Sequence, residues 1–146
     1  MIEFPCSRSA IPIPPTPLVG REDALAAALS LLGDTQVRLV TLIGPGGVGK
    51  TRLALELALA CEGAFADGVC FVPLEAVADP DLVPAAIAQG LGVGAFSARS
   101  MHTASLETVR RREQLLVLDN FEHLLTAAPI VVDLLAAGPA RRAGRR

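Results

Sequence analysis

The stretch Gly44-Pro45-Gly46-Gly47-Val48-Gly49-Lys50-Thr51 limits this chain more than any other, because it fits the phosphate-binding pattern G-x-x-x-x-G-K-[ST] at every position. Such a motif needs a strand before it and a helix after it. Val37 to Ile43 is short, mostly apolar and rich in β-branched residues, while Lys50 to Cys61 is rich in alanine and leucine, so the flanks predict a buried strand, a loop and a helix. The residue types follow from the chemistry. A phosphate chain needs several main-chain N–H groups converging on it, and Gly44, Gly46, Gly47 and Gly49 let the backbone curl closely because they lack Cβ. Pro45 offers no N–H and is expected to shape the entry to the loop. The loop ends at a helix N-terminus, whose dipole favours an anion by roughly 0.3–1 kcal/mol when exposed. Lys50, the only lysine in the chain, would reach the β- and γ-phosphates, and the Thr51 hydroxyl would take a Mg2+ position. Gly44, Gly46, Gly47, Val48, Gly49, Lys50 and Thr51 are thus the candidate nucleotide-binding residues.

A second block completes the pattern. Leu115-Leu116-Val117-Leu118-Asp119 is four apolar residues ending in a carboxylate, as expected of a buried strand that delivers one Asp to the sheet end beside the loop, where it holds Mg2+. Thr51 and Asp119 are therefore the candidate metal residues.

Taken in order, residues 1–17 contain five prolines and read as a leader or linker with little fixed structure. Residues 18–138 read as one nucleotide-binding domain, and 139–146 as a disordered arginine-rich tail. Leu18-Val19-Gly20-Arg21-Glu22 opens a helix that runs to about Leu32, with Gly33 as its stop. Residues 69–74 form a second strand that Pro73 pushes towards an edge or its end. Asp79-Pro80 starts a helix reaching Gln89, inside which Pro84 is awkward and points to a later start. Residues 92–104 read as irregular, and a short helix covers Ser105 to Arg112 with Arg110, Arg111 and Arg112 on a solvated face. Phe121 to Leu125 and Ile130 to Ala137 read as helical, interrupted by Pro129. The expected fold is α/β: a truncated P-loop NTPase with a parallel sheet of about three strands, 37–43, 69–74 and 115–118, flanked by helices.

Composition narrows the function classes. The 146 residues carry a net charge of −2, which argues against direct nucleic-acid binding by the segment as a whole. No uncharged apolar run approaches the ~18 residues of a membrane span. Cys6, Cys61 and Cys70 lack metal-type spacing, and reduced thiols in a cytoplasmic protein are the preferred reading.

Three blocks in order, Leu18-Val19-Gly20-Arg21-Glu22, Gly44 to Ala54, and Leu115 to Leu124, make the chain resemble the STAND class of P-loop NTPases, within it the NB-ARC-like, AAA-like domains of large bacterial transcriptional regulators. The resemblance covers about residues 16–138. It implies an ATP/ADP switch with Mg2+, further protein domains or self-association in the full-length family, and contact between Arg21 and the nucleotide. It also implies a further strand between the loop strand and the one ending at Asp119, not found in these residues, so the chain is expected to be marginally stable and to expose apolar surface. Asn120 stands where many relatives have a second acid, and an amide is no general base. Hydrolysis is accordingly expected to be slow or absent, with Asn120 and Glu122 the only catalytic candidates.

Each of these has a plainer reading. Arg21 would otherwise cap the leading helix, Arg52 form a surface ion pair, and Glu122 favour a helix dipole. His102 and His123 lack partners at ligand spacing. Three function classes stay open: the regulatory switch, which is preferred, a small-molecule P-loop kinase, and an inactive remnant or interaction module.

Overall fold

In a computed structural model, which describes residues 11–94 and 97–139, two parallel strands form the sheet. Strand β1, Val69–Pro73, pairs with β2, Leu115–Asp119, in the register Val69↔Leu115 to Pro73↔Asp119. Both are continuous apolar runs because helices cover both faces. Side chains alternate accordingly: Val69 and Phe71 join one cluster with Leu115 and Val117 packed against it, while Cys70 and Val72 join another with Leu116 and Leu118. Pro73 ends β1, where its missing N–H costs the ladder least.

Helices α1 (Glu22–Gly33) and α2 (Lys50–Ala60) supply one face, with Ala54, Ala58 and Cys61 buried against β1 and Ala28 meeting Leu53 and Leu57. The crossover between the strands supplies the other face. Asp79 accepts a hydrogen bond from the Asp81 N–H and opens a 3-10 turn, Pro80–Leu82, which leads into α3, Val83–Gly90. Pro84 is tolerated because it lies in the first turn of α3, where no intrahelical N–H is needed. Gly90 lets α3 lie close on β1, since a Cβ there would stand 2.8 Å from Val72 Cγ2.

Three expectations need correcting. Helix α4 begins at Ala98 and runs to Arg111, absorbing much of the stretch expected to be irregular. Its signal is the capping box of Ser97 and Ser100, in which each side chain bonds the other's main chain. Helix α5, Ala128–Ala137, has Pro129 in its first turn, so that proline starts the helix instead of interrupting it. The residues before it form two 3-10 turns, Phe121–His123 and Leu125–Ala127.

The larger correction concerns residues 37–43, which form no strand. The sheet has two strands among the described residues, and positions 38–43 make no main-chain hydrogen bond to any described residue. Their side chains still alternate: Val40 and Leu42 are half-buried, Leu42 packing against α1 and α2, while Leu39 is 57% and Ile43 88% exposed. The segment has a strand's inward face, but a strand exists only through a neighbour, and residues 38–43 form no ladder with the open edge of β1 or of β2. Arg38 ties it down instead, donating to the carbonyls of Leu135 and Gly138 at 2.6 and 3.0 Å, at the C-terminal end of α5. Apolar surface is thus exposed as expected, though around a two-stranded sheet and not a three-stranded one.

Candidate functional site

The glycine-rich loop joins residues 37–43 to α2, and two of its glycines are in the left-handed region: Gly47 at φ +80° and Gly49, the N-cap of α2, at φ +86°. Side chains rarely tolerate that backbone, which is why glycine stands at both positions. The N–H groups of Gly46, Gly47, Val48 and Gly49 donate to no described residue. The loop therefore offers a row of main-chain donors at a helix N-terminus, an arrangement suited to an anion.

Lys50 closes the loop from within. Its ammonium donates to the Gly44 carbonyl at 2.7 Å and to that of Pro45 at 3.3 Å. Thr51, the next residue, donates from Oγ1 to Asp119 Oδ1 at 3.0 Å, joining α2 to the last residue of β2 across 68 positions of chain. A hydroxyl and a carboxylate side by side suit a hard cation that keeps waters or ligand oxygens for its other positions. No group of three or more metal-ligating acids, histidines or cysteines occurs among the described residues.

After Asp119 the chain turns sharply. Asn120 has φ +60°, the only left-handed non-glycine backbone among the described residues, a conformation asparagine tolerates better than most. The turn carries Glu122 back to the loop, with Oε1 3.8 Å from Lys50 Nζ. His123 accepts no metal role here: its Nε2 meets the Val77 carbonyl at 2.7 Å.

Arg21 immediately precedes α1 and makes no side-chain cap; its guanidinium reaches the loop and donates to the Val48 carbonyl at 2.5 Å. Between α1, the loop and α2 lies a cavity of about 270 Å³, bordered by Arg21, Thr41, Ile43, Val48, Lys50 and Leu53. The structure thus brings together Arg21, the loop from Gly44 to Thr51, Asp119 and Glu122.

Other charged residues take plainer places. Arg52 pairs with Glu56 at 3.1 Å, one helical turn on. Arg112 leaves the solvated face assigned to it and donates to the Leu91 carbonyl at 3.1 Å, whereas Arg110 and Arg111 are exposed. His102 faces Asp133 of α5 at 3.0 Å. The Glu122 to Lys50 pair and the Arg38 tie were not expected from sequence, because both depend on turns and helix ends meeting across the fold.

A family profile described as an AAA domain matches residues 34–138. Among curated proteins, two named as candidate HTH-type transcriptional regulators, one of Mycobacterium tuberculosis and one of Mycobacterium bovis, are 47% identical to this chain over 105 residues. That match covers 71% of this chain and 12% of theirs. An uncharacterized protein of Mycobacterium tuberculosis is 37% identical over 120 residues, 82% of this chain and 30% of its own length. The chain therefore spans less than a third of the curated relatives named here. No solved structure matches it.

Proposed function

Given that the chain belongs to the AAA domain family, a branch of the P-loop NTPases, we propose that it is the ATP/ADP-binding module of a STAND-class, NB-ARC-like switch, acting within a transcriptional regulator. The observation that carries this reading is the Thr51 to Asp119 hydrogen bond. It sets a carboxylate at the end of a parallel strand beside a loop of unengaged N–H groups, the two parts a nucleotide with its metal requires. Bound there, Mg2+ would neutralise charge on the phosphate oxygens. Thr51 and Asp119 would hold it, the loop N–H groups and Lys50 would bind the phosphates, and Arg21 would order the loop through Val48 beside the cavity.

The chemistry these residues support is binding more than turnover. Asn120 has an amide where a general base would stand and is committed to the left-handed turn. Regulation by exchange of ADP for ATP suits such a site, and the names of the relatives point to transcription as the process.

Titration of the full chain with labelled ATP and ADP, with and without Mg2+, tests the proposal. Asp119→Ala should weaken only the metal-dependent part of the affinity. Equal loss with and without metal would remove Asp119 from the role given it, and no binding of either nucleotide would favour an interaction module.

A further inference from the structure

Lys50 has a second partner that the phosphate-loop pattern does not require. While its ammonium donates to two loop carbonyls, it also stands 3.8 Å from the carboxylate of Glu122, beyond direct hydrogen-bond range and within reach of a solvent-screened charge attraction. Glu122 reaches this place by a built path. Asn120 reverses the chain in a left-handed turn, the 3-10 turn Phe121–His123 follows, and His123 is fastened to the Val77 carbonyl on the far side. Lys50 is 23% and Glu122 61% exposed, so the pair is open to solvent.

We propose that Glu122 sets the preference of the site between nucleoside diphosphate and triphosphate, by competing with the terminal phosphate for Lys50. This rests on the nucleotide reading of the loop. A triphosphate carries about one more negative charge than a diphosphate, placed at the end of the phosphate chain that the loop lysine reaches. A carboxylate beside that lysine cancels part of its charge and repels the added phosphate, while the main-chain donors of Gly46 to Gly49 are unaffected. Glu122 therefore weakens triphosphate binding more than diphosphate binding.

The test compares affinities of the full chain for labelled ATP and ADP at fixed Mg2+, in the original protein and in Glu122→Gln, Glu122→Asp and Lys50→Ala. Neutralising an exposed charge beside the ligand should raise ATP affinity by about three- to tenfold and ADP affinity by less than about twofold, with the difference shrinking in about 0.5 M salt. Glu122→Asp, which keeps the charge, should stay closer to the original ratio than Glu122→Gln does. Equal changes for both nucleotides, or a fall in ATP affinity in Glu122→Gln, would overturn the proposal, the fall marking Glu122 as a ligand to metal-bound water. If Lys50→Ala weakens neither nucleotide, the phosphate-loop reading itself fails. If it weakens ATP while Glu122→Gln leaves the ratio unchanged, only the role of Glu122 fails.

Discussion

The sheet region, residues 69–137, and the segment before α2, residues 38–49, are held by different forces, although α1 and α2 on either side of that segment pack by apolar burial. In the first, β1, β2, α3, α4 and α5 enclose a cluster in which Leu74, Val83, Ile87, Leu91 and Leu124 are at most 2% exposed. In the second, residues 38–43 have no ladder, Ile43 is 88% exposed, and the loop is held by polar ties: Arg21 to Val48, Arg38 to the end of α5, Thr51 to Asp119. Apolar burial fixes the first region, at roughly 25 cal/mol per Å². Hydrogen bonds, worth about 0.5–1.5 kcal/mol each net, position much of residues 38–49. The loop glycines and Val48 lie in the more weakly held segment, while Lys50 and Thr51 open the packed helix α2 and Asp119, Asn120 and Glu122 end or follow β2. The lesson is that the glycine-rich loop is placed where a bound ligand has most to order.

Substitutions at four positions test that division, in falling order of effect. Ile87→Ala opens a cavity in the tight cluster and should cost about 2–5 kcal/mol, read as a lower denaturant midpoint with loss of the whole fold. A loss confined to residues 69–137, with the loop region still folded, would show that the two regions do not unfold together. Lys50→Ala should lower stability, read from the same midpoint, by no more than about 1 kcal/mol, through its two bonds to loop carbonyls. It should also remove a charged contact to the ligand worth roughly 1.5–3 kcal/mol, about ten- to a hundredfold in triphosphate affinity. Arg38→Ala deletes two bonds to the end of α5 and should cost about 1 kcal/mol. Its signature is regional: amide exchange should quicken in residues 37–43 and stay unchanged in β1 and β2, and equal quickening in both would erase the distinction. Ile43→Ser, at an open position, should change stability by less than about 0.5 kcal/mol. A loss above about 2 kcal/mol, as for a buried side chain, would mean that residues 37–43 are covered in solution.

The sequence by itself determined the local devices. Gly44 to Thr51 specified loop and helix because left-handed glycines and an N-terminal turn are properties of a few consecutive residues, and the apolar runs ending at Pro73 and Asp119 marked two strand candidates that pairing then made strands. Helix α4 was legible too, had the serines at 97 and 100 been read as a capping box. Composition could not decide what residues 37–43 become. Their apolar, β-branched pattern matches a strand, and their side chains alternate like one, yet strand formation is a pairing between segments, and residues 38–43 form no ladder with either open edge of the β1–β2 pair. The same holds for the site. Lys50, Thr51, Asp119 and Glu122 were each visible in the chain, but only the fold decided that Thr51 meets Asp119 and that Glu122 turns back to Lys50, because those distances are set by where α2 packs against the sheet and by one left-handed residue at position 120.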